Sequence, residues 1–252
     1  MYRSAFHLFS TLFALLLFLP TSSLATSADE IIKKVEGNLN GESAILHFAM
    51  VVTTGRGERT MKMESYSIGV EKSFIKIIYP GKDKGITFLK IDNNMWQYIP
   101  RIEKIIKIPA SMMLQSWMGS DFTNDDLVKE SSLSKDYRTT LIEENGKEYT
   151  LNLAPLEHAP VVWGRIVMQV SKQYSLPTTV QYFDEDGIRV RTLEYTDVKK
   201  FNDRYYPTAW LMTPLDPDKK DHRTSVKIDY ALFNSDLNPN YFTKQALKRY
   251  SR

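Results

Sequence analysis

Cysteine is absent from this chain of 252 residues. Without cysteine the protein has no disulfide bonds, no thiol nucleophile and no thiolate ligand for a metal ion. A lipoprotein anchor is also excluded, because acylation requires a cysteine at the cleavage site. A chain of this length buries enough apolar surface to be stable without crosslinks.

A strong charge of one sign is also lacking. The 33 lysines and arginines nearly balance the 30 aspartates and glutamates, which leaves a formal net charge of +3. Proteins that bind nucleic acid usually concentrate basic residues on one surface, and no block of like charges occurs here. We therefore expect no nucleic-acid partner. The 42% hydrophobic residues are typical of a globular protein.

Motifs that carry catalysis or metal binding are missing as well. The four histidines, His7, His47, His158 and His222, are isolated and have no partner at metal-ligand spacing. The chain has no Gly-x-Ser-x-Gly motif, no phosphate-binding loop and no dinucleotide fingerprint. The sequence predicts neither an enzyme nor a cofactor nor a metal site. An unrecognised hydrolase would need a nucleophile beside a base, which none of these histidines offers in the sequence.

Only one long hydrophobic run is present, Leu8–Leu19. A positive charge precedes it, a proline ends it, and the small residues of "TSSLATSA" follow. This layout is typical of a secretory signal peptide, and the run is short for a membrane span. We predict a signal peptide over residues 1–28, cleaved after Ala25 or Ala28, and a single domain over residues 29–252. The exported protein would lie in the periplasm of a Gram-negative bacterium.

The mature chain begins with a helical pattern, "DEIIKKVEGNLN", and then changes to alternating apolar and polar residues. Tight-turn residues separate the alternating segments, and Asn145-Gly146 is the strongest of these hairpin signals. The pattern predicts about eleven strands in one antiparallel sheet, strongly curved or partly closed, with helices on one side. A final helix is predicted in "NYFTKQALKRY".

An apolar cluster lies between Pro109 and Gly119, in a chain with ten methionines and four tryptophans. Its spacing predicts a short helix that covers the sheet. Methionine repacks around variable apolar partners, so the cluster suits either an ordinary core or the lining of a ligand site. The pattern leaves both interpretations open.

Three segments, "WMGSDFTNDDL", "YPTAWLMTP" and "FNSDLNPNYFTKQAL", resemble the outer-membrane lipoprotein-sorting family of LolA-like periplasmic carriers, in particular its uncharacterised Treponema-type branch. The resemblance extends from Ala44 to Leu247. It implies a half-open, curved antiparallel β-barrel with a helical lid and an apolar cavity for acyl chains. In the best-known carriers a buried arginine helps to close the lid, and the sequence assigns no residue to that role here.

Within this resemblance, two groups of residues are predicted to form the site. The first would line the acyl-chain cavity and lid: Met50, Met61, Met63, Trp96, Tyr98, Met112, Met113, Leu114, Trp117 and Met118. The second would form the hinge or latch of the lid: Gly119, Ser120, Asp121 and Phe122.

The predicted function is that of a monomeric periplasmic carrier without a cofactor. It would bind lipid or lipoprotein acyl chains and move them between the envelope membranes. Its partners would be an inner-membrane transporter, such as a lipid exporter of the resistance-nodulation-division superfamily, and an outer-membrane acceptor. The alternative is an envelope-stress sensor or accessory domain of the same fold that binds a partner protein.

Overall fold

In the computed structural model of the chain, residues 26–129, 133–159 and 161–252 are described. Residues 1–25, which hold most of the predicted signal peptide, lie outside them. The described chain begins just before the first helix, α1 (Ala28–Asn40). The backbone N–H of Glu30 donates to Ser27 Oγ at 3.1 Å and so caps this helix. Cleavage after Ala25 would retain that cap, whereas cleavage after Ala28 would remove it.

Thirteen strands make up most of the described chain. Their bounds are Ser43–Thr54 (β1), Gly57–Ile68 (β2), Lys72–Tyr79 (β3), Thr87–Ile91 (β4), Asn94–Ile99 (β5), Lys104–Ile108 (β6), Tyr137–Glu144 (β7), Glu148–Pro155 (β8), Arg165–Ser171 (β9), Leu176–Phe183 (β10), Arg189–Phe201 (β11), Arg204–Pro214 (β12) and Arg223–Phe233 (β13). The other helices are Asp126–Lys129 (α2), Leu133–Asp136 (α3) and Lys244–Arg249 (α4). Among the described residues, no helix is both long and apolar enough to cross a membrane.

All thirteen strands belong to one antiparallel sheet in the order β6-β5-β4-β3-β2-β1-β13-β12-β11-β10-β9-β8-β7. The sheet is curved and does not close, because β6 and β7 remain as its two edges. This confirms the predicted mainly-β, half-open architecture. The sheet has thirteen strands, two more than the predicted number of about eleven.

The two faces of the sheet are covered by different elements. Along β1, alternation places Leu46, Phe48 and Met50 on the face that α1 covers, which we call the inner face. The largest hydrophobic cluster lies there, between the sheet and α1. The opposite, outer face carries a smaller cluster at one end, where Phe242 and Leu247 of the C-terminal segment pack.

The segment before α2 is not the predicted helix. It forms two 3₁₀ turns, Ala110–Met112 and Trp117–Gly119, and Ser116 pairs with Thr123 in an isolated antiparallel bridge. Met118 and Gly119 have φ values of 51° and 69°, which no right-handed helix tolerates. The chain therefore folds back on itself across the inner face.

Candidate functional site

An apolar cavity of about 210 Å³ lies between the C-terminal end of α1 and the inner face of the sheet. Its side chains come from the strands around β1, from α1 and from α2. The apolar ones include Leu39, Leu46, Phe48, Ile75, Leu127 and Trp210. These residues are only partly covered, apart from the buried Ile75. The cavity therefore presents an apolar surface that no side chain of the described residues fills.

The cavity exists because inner-face side chains become smaller toward one end of the sheet. On β2 the inner positions change from Met61 and Met63, which are fully buried, to Ser65 and Ser67, which line the cavity. Ser67 lies opposite Ala44 in the ladder with β1. The helix above cannot reach these short side chains, so space remains beneath it.

A second cavity, of about 140 Å³, adjoins the first. The two share Leu39, Asn40, Tyr206 and Trp210 as lining residues. Apolar surface therefore continues beneath α1 from one half of the sheet to the other.

Glu36 of α1 lines the second cavity and connects the two covering helices. The backbone N–H of Ser134, in α3, donates to Glu36 Oε1 at 3.1 Å. Burial raises the pKa of the Glu36 carboxyl, while the hydrogen bonds from Ser134 oppose that shift. The carboxylate thus ties α3 to α1 at an energetic cost that depends on pH.

A buried ion pair attaches the start of α2 to the sheet. Arg191 of β11 is only 4% exposed. Its Nη1 donates to Asp126 Oδ2 at 2.7 Å, and its Nη2 donates to the other oxygen of the same carboxylate. The guanidinium carbon also lies 4.2 Å from the ring centres of both Trp163 and Tyr182. This bidentate hydrogen bonding holds the start of α2 over β11.

Asp121 makes a second attachment of the same segment. Its backbone N–H donates to Thr224 Oγ1 at 2.9 Å, and that hydroxyl donates to Asp121 Oδ2 at 2.7 Å. The carbonyl of Asp121 accepts from Arg191 Nη1 at 3.4 Å. Residues 119–126, which we call the latch segment, are therefore held to both β11 and β13.

Several residues predicted to line the site lie in the core. Met50, Met61 and Met63 are buried on the inner face, and Trp117 is 1% exposed with its ring centre 5.2 Å from that of Phe88. Met112 and Met113 are partly buried and pack against the same cluster. None of these predicted residues is among the described residues that line the two cavities.

The remaining predicted lining residues are dispersed. Trp96 and Tyr98 belong to the cluster on the outer face, so the sheet separates them from the cavities. Leu114 is 59% exposed. Met118 and Gly119 line a separate open cleft of about 980 Å³ that also carries charged side chains.

The four predicted hinge or latch residues do lie together. Ser120 Oγ donates to the Trp117 carbonyl at 2.7 Å, and Phe122 is buried. Together with Gly119 and Asp121, these two residues form the turn at the start of the latch segment, which leads toward Arg191. Their role in lid movement stays a prediction.

Sequence reasoning missed Arg191, Leu46 and Phe48. A signal for all three was present, because Leu46 and Phe48 alternate with Met50, and Arg191 alternates with Leu193. A single arginine on the apolar side of a strand indicates a buried partner.

A family model described only as "-like: Uncharacterized protein" matches residues 69–249. The chain belongs to that family. No curated protein sequence matches it.

Solved structures place the family fold among LolA-like proteins. A domain from Vibrio parahaemolyticus, described as an outer membrane lipoprotein-sorting protein domain, is 21% identical with a TM-score of 0.76, over 88% of this chain and 98% of that one. A DUF1329 family protein from Desulfovibrio piger is 20% identical with a TM-score of 0.81, over 87% and 97%. A LolA superfamily protein from Nitrosomonas europaea is 19% identical with a TM-score of 0.74, over 88% and 100%. The LolA-like resemblance predicted from the sequence is thereby confirmed for the fold.

Proposed function

We propose that this protein is a non-catalytic periplasmic carrier that binds acyl chains of lipids or lipoproteins. The observation that supports this most directly is the apolar cavity that the described residues form beneath α1, in a protein with a LolA-like fold. The carrier would receive its cargo from an inner-membrane transporter and deliver it to an outer-membrane acceptor.

Burial of the acyl chain would supply the affinity. Each methylene transferred from water to an apolar site contributes about 0.8 kcal/mol, so a single chain gives useful affinity without polar contacts. A carrier must also release its cargo. The partly covered side chains of Leu46, Phe48 and Trp210 offer apolar surface without enclosing the ligand on every side.

The helices over the inner face would act as the lid. The ion pair between Arg191 and Asp126 lies where the latch segment meets β11. In the closed state this pair and the attachment of Asp121 to Thr224 would hold the lid down. Opening would require the transporter or acceptor to compensate for the loss of these contacts.

Two matched tryptophan substitutions on β1 test the proposal. Leu46→Trp would place an indole in the cavity, whereas Ile45→Trp would place the same group on the outer face of the same strand. Displacing two methylenes of a bound chain costs about 1.6 kcal/mol, or slightly more than tenfold in affinity. We expect a fluorescent fatty acid to bind the unmodified protein and Ile45→Trp alike, and Leu46→Trp at least about tenfold more weakly.

Mass spectrometry of organic extracts from gently purified protein would identify the natural cargo. Absence of any bound lipid, together with no binding of the fluorescent fatty acid, would refute the carrier proposal. It would favour a domain of the same fold that binds a partner protein instead.

A further inference from the structure

Exposed isoleucines lie at the tip of the hairpin that β5 and β6 form. Ile102, in the turn, is 51% exposed, and Ile105 and Ile106 of the edge strand β6 are 43% and 38% exposed. Every residue from 101 to 107 is exposed. Apolar surface that is concentrated in one place marks an interaction site more often than apolar residues that are scattered singly.

A second turn meets this tip at the same end of the sheet. Residues 80–86 connect β3 to β4. A Cβ atom added at Gly85 would lie 3.3 Å from Pro100 Cγ, so the two turns are in contact. Tyr79, which is 51% exposed, immediately precedes the second turn. Residues 79–86 and 100–107 therefore form one surface, which we call the tip surface.

The charge of the tip surface is positive. It contains two acidic residues, Asp83 and Glu103, and five basic ones, which gives a net charge of +3. Asp83 Oδ2 also lies 3.8 Å from Nη1 of Arg59, a neighbour on β2. The basic residues, all exposed, are Lys82, Lys84, Arg101, Lys104 and Lys107. The tip surface thus combines exposed aliphatic side chains with an excess of positive charge.

The opposite edge of the sheet has similar apolar exposure but the other sign of charge. On β7, Leu141 and Ile142 are 39% and 58% exposed. Glu143 and Glu144 follow them directly, and Glu144 Oε1 lies 2.6 Å from Lys172 Nζ. The two edges therefore differ chiefly in the charge beside the exposed aliphatic residues.

The lysines of β6 also bear on which partner fits this edge. A strand from another protein pairs most readily with a flat, apolar edge, and lysines on an edge strand oppose such pairing. Lys104 and Lys107 interrupt the apolar residues of this five-residue strand. An anionic lipid surface attracts basic residues close to it, and aliphatic side chains enter its head-group region. A lipid surface therefore suits β6 better than an added strand does.

We propose that the tip surface binds peripherally to membranes that contain anionic phospholipids. Ile102 and Ile105 would enter the interfacial region, the ring of Tyr79 would lie at the level of the head groups, and the basic side chains would contact phosphate groups. This goes beyond the proposed carrier function, because it adds direct contact with a bilayer. The cavity of about 210 Å³ lies toward the opposite end of these strands, at Ser67 and Gly69, so acyl binding and membrane binding use separate surfaces.

Co-sedimentation of the exported protein with lipid vesicles tests this proposal. We expect binding to vesicles of equal parts phosphatidylglycerol and phosphatidylcholine, and little binding to phosphatidylcholine alone. Added salt should weaken the binding, because it screens the charges. Each basic residue near an anionic surface contributes about fivefold in affinity, so the double variant Arg101→Gln, Lys104→Gln should bind about thirtyfold more weakly.

The matched control for charge is the double variant Arg138→Gln, Lys147→Gln. It removes the same net charge from exposed positions at the opposite edge, and it should bind vesicles like the unmodified protein. Ile102→Ser should weaken vesicle binding severalfold through loss of buried apolar area. Ile142→Ser, on the acidic edge, should leave it unchanged. All these variants should keep the affinity for the fluorescent fatty acid, which reports that they fold.

Three results would overturn the inference while leaving the carrier function intact: no binding to anionic vesicles, equal binding to neutral ones, or equal losses for the tip-surface and control variants. Loss of vesicle binding in Leu46→Trp would also overturn it, because the protein would then be held by lipid in the cavity. A dimer that Ile102→Ser dissociates, in a protein that does not bind vesicles, would assign the surface to a second copy of the chain instead. Vesicle binding without binding of the fatty acid would refute the carrier function and support this inference.

Discussion

At the scale of single residues, Arg191 and Asp126 place opposite charges within an otherwise apolar region. Their side chains are 5% and 2% exposed, so neither charge is hydrated well. Such a pair contributes little net stability compared with apolar residues of the same volume. Loss of one partner, however, leaves the charge of the other buried without its counter-ion. The pair therefore makes the position of the latch segment specific.

Asp126→Asn should be strongly destabilising for this reason. We expect the free energy of unfolding, measured in urea, to fall by about 3–5 kcal/mol. The control is Glu144→Gln, which breaks the exposed pair of Glu144 with Lys172 and should cost less than about 1 kcal/mol. Similar small losses for both variants would show that Arg191 does not depend on Asp126.

Glu36 offers a test at acid pH. Its folded-state pKa is raised above the ordinary value of 4.5 by burial, so the ionised carboxylate opposes folding at neutral pH. That penalty disappears as pH falls through the raised pKa toward 4.5, because the folded protein then holds the proton. We expect Glu36→Gln to be more stable than the unmodified protein at pH 7, with the difference shrinking as pH falls through this window.

The exposed Glu42→Gln serves as the control for this pH series. Its stability should follow that of the unmodified protein at every pH. A Glu36→Gln difference that grows as the pH is lowered would have the wrong sign and would contradict the buried-carboxylate account.

At the scale of elements, the segment between Pro109 and α2 is a compact loop whose apolar side chains mostly face the core. Trp117 is packed against Phe88, and its backbone N–H donates to the Phe122 carbonyl at 2.8 Å. The loop contributes a cover for the inner face, while Leu127 of α2 reaches the cavity.

Trp117→Ala should therefore behave as a core substitution. We expect a stability loss of about 3–5 kcal/mol, with the affinity of a fluorescent fatty acid per folded molecule unchanged. Denaturant unfolding and probe titration on the same sample measure both. A strong loss of affinity with little loss of stability would contradict this expectation and would show that Trp117 lines the ligand site.

The sequence predicted the strands better than it predicted the site. Alternation depends on neighbouring residues alone, so the sequence predicted an antiparallel sheet of many strands without knowledge of long-range contacts. The cavity depends on how far α1 lies from Ser65 and Ser67, which are distant in sequence. The face on which Trp96 lies depends on sheet register and on where α4 packs, and neither is visible in a local pattern. For residues 109–119, apolar spacing suited a helix, but the positive φ values at Met118 and Gly119 prevent one.

At the scale of the whole molecule, β1 and β13 join the two halves of the chain. Ten residue pairs link these strands, so strands from the N-terminal and C-terminal parts form one continuous sheet. The main hydrophobic cluster also draws residues from both halves. This arrangement favours unfolding of both halves of the described chain together.

We therefore expect one cooperative unfolding transition and a β-dominated circular dichroism spectrum. Far-ultraviolet circular dichroism and tryptophan fluorescence should give coincident midpoints, because Trp96 and Trp210 lie in different halves of the same sheet. Two separated transitions would indicate two domains.

The central claim is that acyl chains enter the cavity on the inner face, and quenching by a brominated fatty acid tests it most directly. Bromine quenches indole fluorescence only at close contact. One variant keeps Trp210, which lines both cavities, and a second keeps Trp96, which lies on the outer face; phenylalanine replaces the other three tryptophans in each. The account predicts saturable quenching of Trp210 and none of Trp96. Equal quenching of both, or quenching of neither at concentrations where the fatty acid is bound, would contradict it.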